Sequence, residues 1–205
     1  MDQYHLAFEQ DSEICLPQAS IQYYQQFIPV EQADDLLALL LKQLNWRQDH
    51  IKMYGVEHKI PRLQAWYGDP DSEYQYSGLQ MTPQPWTDTL QHIRQLCEQQ
   101  TQHKFNSVLC NLYRNGQDSV GMHADDEAEL GPQPIIASVS LGQARALMFK
   151  HKTTRQSHKL LLQHGSLLVM KGLTQQHWLH GINKSPSVTK PRVNLTFRQI
   201  KKGYN

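Results

Sequence analysis

From Phe105 onward the pattern of apolar and polar positions breaks into short β-rich runs: SVLCNLY, PIIASVSLG, RALMFKH, HKLLLQH, SLLVMKG and RVNLTFR, separated by glycine and polar turn residues. Runs of this length and period are strands, and so many at close spacing predict a sandwich or barrel. Ahead of them the period lengthens. VEQADDLLALLLKQLNW, opening after Pro29, sets Leu36, Leu37, Leu40 and Leu41 on one stripe and predicts a helix. A second helix is predicted after Pro83 and Pro85, with Trp86, Leu90, Ile93, Leu96 and Cys97 inward. Both helices are expected to buttress the sheet. No repeat, linker or low-complexity segment divides the chain. Residues 1–205 therefore read as a single α+β domain, mainly β, with residues 1–100 an extension of helices and hairpins and 105–200 the β-rich core.

The polar positions of these strands carry the chemistry. In Arg192-Val193-Asn194-Leu195-Thr196-Phe197-Arg198 every polar residue has one parity and every apolar residue the other, which predicts a half-buried strand with two cations and an amide on its polar face. A solvated face is the ordinary explanation. Asn111 and Tyr113 in CNLYRNG repeat the parity, however, just before His123 and Asp125 in QDSVGMHADDE. On a strand a His and an Asp two apart point to the same side, so one strand can offer both to a metal. A His-x-Asp by itself is a common accident of surface loops. With His180 from another strand it becomes two histidines and a carboxylate, the facial ligand set of non-haem Fe(II) oxygenases.

Composition sets outer limits. With 205 residues, 39 % of them hydrophobic, the chain can close a real core. No apolar run approaches the roughly 20 residues that span a bilayer, and MDQYHLAFEQDSEICL lacks the blocks of a signal peptide, so no membrane association is expected and the location expected is cytoplasmic, nucleoid-associated if bacterial. Cys15, Cys97 and Cys110 form no Cys-x-x-Cys and are read as unpaired thiols. Net charge is only +1, yet all 19 acids precede Leu130 and the chain from there on holds bases alone. Either the two halves interleave and the charges mix, or the second half presents a basic face to a phosphate backbone. Lys150, His151, Lys152, Arg155, His158 and Lys159 are the densest candidates; they also fit a solvated hairpin tip.

The stretches AWYGDPDSEYQYSGLQMTPQPW, FNSVLCNLYRNGQDSVGMHADDEAELGPQPIIASVSLG, LLLQHGSLLVMKGLTQQHWLHGI and PRVNLTFR resemble, in order, the AlkB-like Fe(II)/2-oxoglutarate-dependent dioxygenases that dealkylate nucleic acids, most closely the branch that repairs duplex DNA. The resemblance runs over residues 50 to 200 and adds little for the first fifty. It implies a double-stranded β-helix, a distorted jelly roll. It also implies Fe(II) held by His123, Asp125 and His180, the last chosen because the family's ligand precedes a small residue, here Gly181. His177, three residues earlier, would face away from His180 on a strand. By family position Arg192 takes the distal carboxylate of 2-oxoglutarate, Tyr113 and Asn111 assist, Asn194 lines the pocket and Arg198 holds the end near the metal. A planar guanidinium suits that carboxylate because it pairs through two parallel bonds.

For substrate the resemblance implies a flipped, N-alkylated base of the 1-methyladenine or 3-methylcytosine type. Tyr76 would stack on one face of it and His123 on the other, with Tyr74 and Glu127 at its edge. Without the resemblance, Tyr74 and Tyr76 are same-face strand aromatics with core packing as the commoner explanation, and Glu127 is a solvated carboxylate. Met53 and Tyr54, just before Gly55 in IKMYGVEHKIPR, would tip a hairpin wedge that fills the gap left by the base. Duplex DNA is the partner expected, with single strands and RNA as alternatives and the protein acting as a monomer. Two other classes fit the residues less well. A binding module that keeps the fold without turnover has no need of an intact ligand set and two arginines, and a zinc hydrolase would want a His-Glu-x-x-His that the chain lacks.

Overall fold

A computed structural model describes residues 12–53, 56–70, 72, 74–76 and 79–201. Two antiparallel sheets face one another. The larger runs in the order β1 (Ser12–Glu13), β2 (Ser20–Tyr24), β13 (Ser166–Lys171), β10 (Ile136–Gly142), β15 (Arg192–Arg198), β8 (Ser107–Tyr113), β5 (Leu63–Gly68). The smaller runs β12 (Ser157–Leu162), β11 (Arg145–His151), β14 (Trp178–Ile182), β9 (Val120–His123). Two separate hairpins, β3 (His50–Met53) with β4 (Val56–Lys59) and β6 (Tyr74–Tyr76) with β7 (Leu79–Met81), precede the second helix. Consecutive strands that leave one sheet for the other, with helices packed outside, make the jelly roll that the strand spacing and the resemblance predict.

The helices pack on the outer face of the larger sheet. Helix α1 (Val30–Gln43) buries Ala33, Leu36 and Leu40, while Leu37 and Leu41 of the predicted stripe are only partly covered. Helix α2 (Asp88–Thr101) starts where Thr87 Oγ1 accepts the Leu90 N–H, a side-chain cap for a donor the first turn leaves open. It turns Leu90, Ile93 and Cys97 inward, with Trp86 and Leu96 at the rim. A short third helix, α3 (Thr174–His177), links β13 to β14. No helix among the described residues is long and apolar enough to cross a membrane.

Strand alternation divides the larger sheet's side chains between two cores. Val108, Cys110, Val139, Leu195 and Phe197 meet the helices, while Leu109, Tyr113, Ile136, Leu168 and Met170 face the smaller sheet. Strand β15 is therefore buried on both faces, where the sequence predicts a half-buried strand. Its polar parity, Arg192, Asn194, Thr196 and Arg198, enters the space between the sheets, and the helices cover the apolar parity. A row of buried polar groups is unfavourable unless partners are supplied. Supplying them is the business of the site.

Candidate active site

β9 and β14 are neighbours in the smaller sheet, and His123 stands directly opposite His180 in their register, ring centroids 4.4 Å apart. Gly181 follows His180 where the two backbones come close: a Cβ there would lie 2.9 Å from the Gly121 carbonyl oxygen. The His-x-Asp spacing predicts both of its ligands on one strand. In the structure β9 ends at His123, and Asp125 belongs to the loop beyond. That loop does not rely on a sheet ladder. Its Asp125 N–H is taken by Gln175 Oε1 at 3.0 Å, and Arg198 Nη2 donates to Asp125 Oδ1 at 2.8 Å. The ligand atoms of His123, Asp125 and His180 all lie within 4.8 Å of one another.

The protonation states suit a cation. His123 Nδ1 lies 2.9 Å from the Gly121 carbonyl oxygen, which can only accept, so the proton sits on Nδ1 and Nε2 presents its lone pair. Burial, followed by the nearby His123, pulls the His180 imidazole down to about 3, so it stays neutral. Burial pushes the Asp125 carboxyl up, but the Arg198 guanidinium and the two imidazoles outweigh it and hold it at about 2. Asp125 Oδ2 is buried with no hydrogen-bond partner among the described residues. Two imidazoles and a carboxylate with an open oxygen fit a divalent metal such as iron. His177 does not belong to the group. It ends α3 and stacks on His151 at 5.8 Å, so what separates it from His180 is a change from helix to strand, and strand alternation plays no part.

Behind the three ligands a cavity runs between the sheets, lined by Asn111, Tyr113, Asn194, Arg192 and Arg198 with an apolar wall that includes Leu109, Leu147, Met170 and Ile182. Arg192 is at its far end, 1 % exposed, with its guanidinium 5.2 Å above the Tyr113 ring and Nη2 donating to Ser140 Oγ at 2.8 Å. Its Nε and Nη1 have no hydrogen-bond partner among the described residues, and burial lowers its pKa to about 10, which leaves it charged. A buried cation without a carboxylate is costly to a fold, so the geometry fits a ligand that brings one. Asn111 is oriented for the same purpose. Arg62 Nε and Gln64 Nε2 both donate to its Oδ1, at 2.7 and 3.1 Å, which leaves the Nδ2 amide as its donor end.

Two of the residues expected at the cosubstrate also make bonds within the chain. Asn194 lines the cavity, but its amide is engaged within the chain: Nδ2 donates to Ser138 Oγ and the Val139 carbonyl oxygen, and Oδ1 accepts from Thr196 Oγ1. Arg198 is tied to Asp125, so its visible task is to hold a candidate metal ligand. Of the base-facing candidates, Tyr54 lies outside the described residues. Met53 ends β3 opposite Val56, and Tyr74 and Tyr76 are the ends of β6, paired with Met81 and Leu79. Glu127 opens the short turn Ala128–Leu130, is half-buried, and is not among the residues lining the cavity.

The basic run after Lys150 closes the β11–β12 hairpin, as one of its two readings expects. His151 is no part of a surface patch: it is buried, its Nδ1 accepts from the Thr153 and Thr154 amides, and Lys152 pairs with Asp126 at 3.0 Å. Sequence reasoning passed over Arg62, Gln64, Ser138, Ser140 and Gln175. Only Ser138 and Ser140 left a trace, as the polar parity of PIIASVSLG.

A jelly roll with two histidines on one sheet, a carboxylate on the loop that follows, and behind them a buried arginine with two donors unpaired among the described residues defines a non-haem metal oxygenase site that takes an anionic cosubstrate. Comparison with known proteins sharpens this. Residues 20–198 match the 2OG-Fe(II) oxygenase superfamily, and the chain belongs to that family, among its AlkB-like members, whose metal and cosubstrate are Fe(II) and 2-oxoglutarate. It is 40 % identical over 199 residues to human alpha-ketoglutarate-dependent dioxygenase alkB homolog 3, covering 92 % of this chain and 66 % of that protein. It is 41 % identical over 180 residues to human DNA oxidative demethylase ALKBH2, covering 82 % of this chain and 69 % of the relative. The chain thus spans about two thirds of the length of these relatives. The solved structure of OsALKBH1 superposes with a TM-score of 0.65 at 18 % identity, over 91 % of this chain and all of that one, and supports the fold.

Proposed function

We propose that the protein is an oxidative demethylase of N-alkylated bases in DNA, working through Fe(II) held by His123, Asp125 and His180 and 2-oxoglutarate anchored by Arg192. The observation that carries this reading is the buried, carboxylate-free guanidinium of Arg192 in the same cavity as the three ligand side chains. The substrate class follows the relatives, one of which is named for DNA oxidative demethylation. When bound, the metal and cosubstrate supply the oxidising chemistry: dioxygen converts 2-oxoglutarate to succinate and carbon dioxide and leaves one oxygen as a hydroxyl on the N-alkyl carbon. The hydroxylated carbon then leaves as an aldehyde: its C–N bond breaks, the bonding pair returns to the base nitrogen as a lone pair, and the hydroxyl proton is released.

The chain's own residues orient and exclude. Arg198 and Gln175 fix Asp125, the Gly121 carbonyl fixes the His123 tautomer, and Tyr113 and Asn111 flank Arg192 at the carboxylate end. The apolar wall keeps water from competing for the cavity. Fixing reactants in this way is the protein's main contribution to rate.

Duplex DNA is the favoured form of the substrate within this reading, with the β3–β4 hairpin as its wedge. A Met53→Ala, Tyr54→Ala double variant is expected to lose activity on duplex far more than on single strands, because a single strand has no stacked gap to fill. Stacking on a base is worth ~1–3 kcal/mol, and at ~1.4 kcal/mol per decade the selective defect is roughly fivefold to hundredfold. Mass spectrometry of one methylated oligonucleotide, single-stranded and annealed, gives the ratio. Equal losses on both would remove the wedge and the duplex preference with it, while leaving demethylation itself intact.

A further inference from the structure

Asp125 is the one ligand of the three that no strand holds, and its contacts show what replaces the strand. Its carboxylate is held by Arg198 from β15 and its backbone N–H by the side chain of Gln175 from α3, a residue 2 % exposed whose Nε2 rests on Met170 Sδ at 3.6 Å. Gln175 and His180 lie on one unbroken stretch of chain, Thr174–Ile182, so the segment that delivers one ligand also grips another. A second tie runs alongside. Lys152 Nζ donates at 3.0 Å both to the Gln175 carbonyl oxygen and to Asp126 Oδ2, bridging α3 to the residue after Asp125. The helix itself is anchored: the Lys152 N–H donates to the His177 carbonyl oxygen at 2.7 Å, and Thr174 Oγ1 accepts from the Ser20 N–H. A short, fixed helix with a buried amide aimed at a ligand's main chain does more than pack.

We propose that Gln175 is a positioning residue for the metal ligand Asp125, that Lys152 supports it from the protein surface, and that this clamp sets the affinity of the site for a divalent metal. The inference rests on the reading of His123, Asp125 and His180 as the metal site. Such supporting contacts typically matter by 10–100-fold in metal affinity. The mechanism is geometric: without the Gln175 acceptor the 124–127 loop can shift, and the Asp125 oxygen leaves its place beside the two imidazoles.

The test is a titration of the metal-free, full-length chain with Mn(II) in the presence of 2-oxoglutarate, following free Mn(II) by electron paramagnetic resonance. Gln175→Leu, which removes the acceptor at similar volume, should weaken binding by about tenfold or more. Gln175→Glu, which keeps an acceptor oxygen in place, should stay within about threefold of the parent, a rescue that simple loss of packing would not give. Lys152→Met changes a partly exposed side chain and carries little risk to folding; a loss of about threefold or more is expected from it. If Gln175→Leu folds and binds Mn(II) like the parent, the clamp is refuted. Should that variant fail to fold, unchanged affinity in Lys152→Met refutes it instead. Asp125→Ala separates the two claims: parent-like Mn(II) binding by that variant would overturn the site assignment itself, whatever the Gln175 variants do.

Discussion

Asp125→Ala is expected to end turnover while leaving a folded protein. The carboxylate supplies the only anionic ligand among the three and lies 1 % exposed between two imidazoles and a guanidinium, so no neighbouring acid among the described residues can take over. Metal affinity should fall by more than about a hundredfold, beyond the range typical of supporting contacts. The fold is penalised as well, because a buried ion pair that loses one partner typically costs about 3–5 kcal/mol, against a total stability of about 5–15 kcal/mol. Two hydrophobic cores remain untouched, so a lowered but cooperative melting transition is expected. His180→Ala should lose the metal in the same way and His177→Ala should keep it. Comparable Mn(II) binding by the parent and Asp125→Ala, or equal losses from the two histidine variants, would show that the ligands have been misassigned.

The second large effect is expected at the cosubstrate end. Arg192→Met removes the charge proposed to meet the distal carboxylate of 2-oxoglutarate, and truncating one partner of a buried charged pair costs about 2–5 kcal/mol. The apparent affinity for 2-oxoglutarate should fall by at least about tenfold. A stability readout makes the prediction more specific. In the free protein Arg192 is a buried cation with two unanswered donors, so replacing it with an apolar side chain should leave the ligand-free melting temperature close to that of the parent. What should vanish is the rise in melting temperature on adding 2-oxoglutarate, since a ligand stabilises only the state that binds it. A parent-like rise in Arg192→Met would move the carboxylate anchor elsewhere.

These two residues show how unevenly the sequence discloses the site. Arg192 and Arg198 were legible because a buried strand forces alternation: with Val193, Leu195 and Phe197 committed to the helices, the opposite parity had to face the inter-sheet space. Burial of that polar parity was not legible, since the same pattern describes a solvated face until helices and a second sheet cover both sides. Asp125 was named for a reason the fold does not use. The strand ends two residues before it, at His123, and contacts from α3 and β15 hold it, across 50 and 73 residues of sequence. Gln175, Arg62 and Gln64 left no usable local signal because their roles are created by such distant contacts. Ahead of the first helix the sequence shows no strand pattern, yet Ile21 and Tyr23 alternate on β2, which extends the larger sheet beside β13. A five-residue run was too short to stand out.

The most direct test of the account measures, in one reaction with Fe(II) and dioxygen, the succinate formed and the base restored on an oligonucleotide carrying 1-methyladenine or 3-methylcytosine. The account predicts that the two rise together in a one-to-one ratio once uncoupled background is subtracted, and that both stop in Asp125→Ala. Succinate without base repair would keep the oxygenase and discard the nucleobase substrate; absence of both products from the intact protein would contradict the account at its centre.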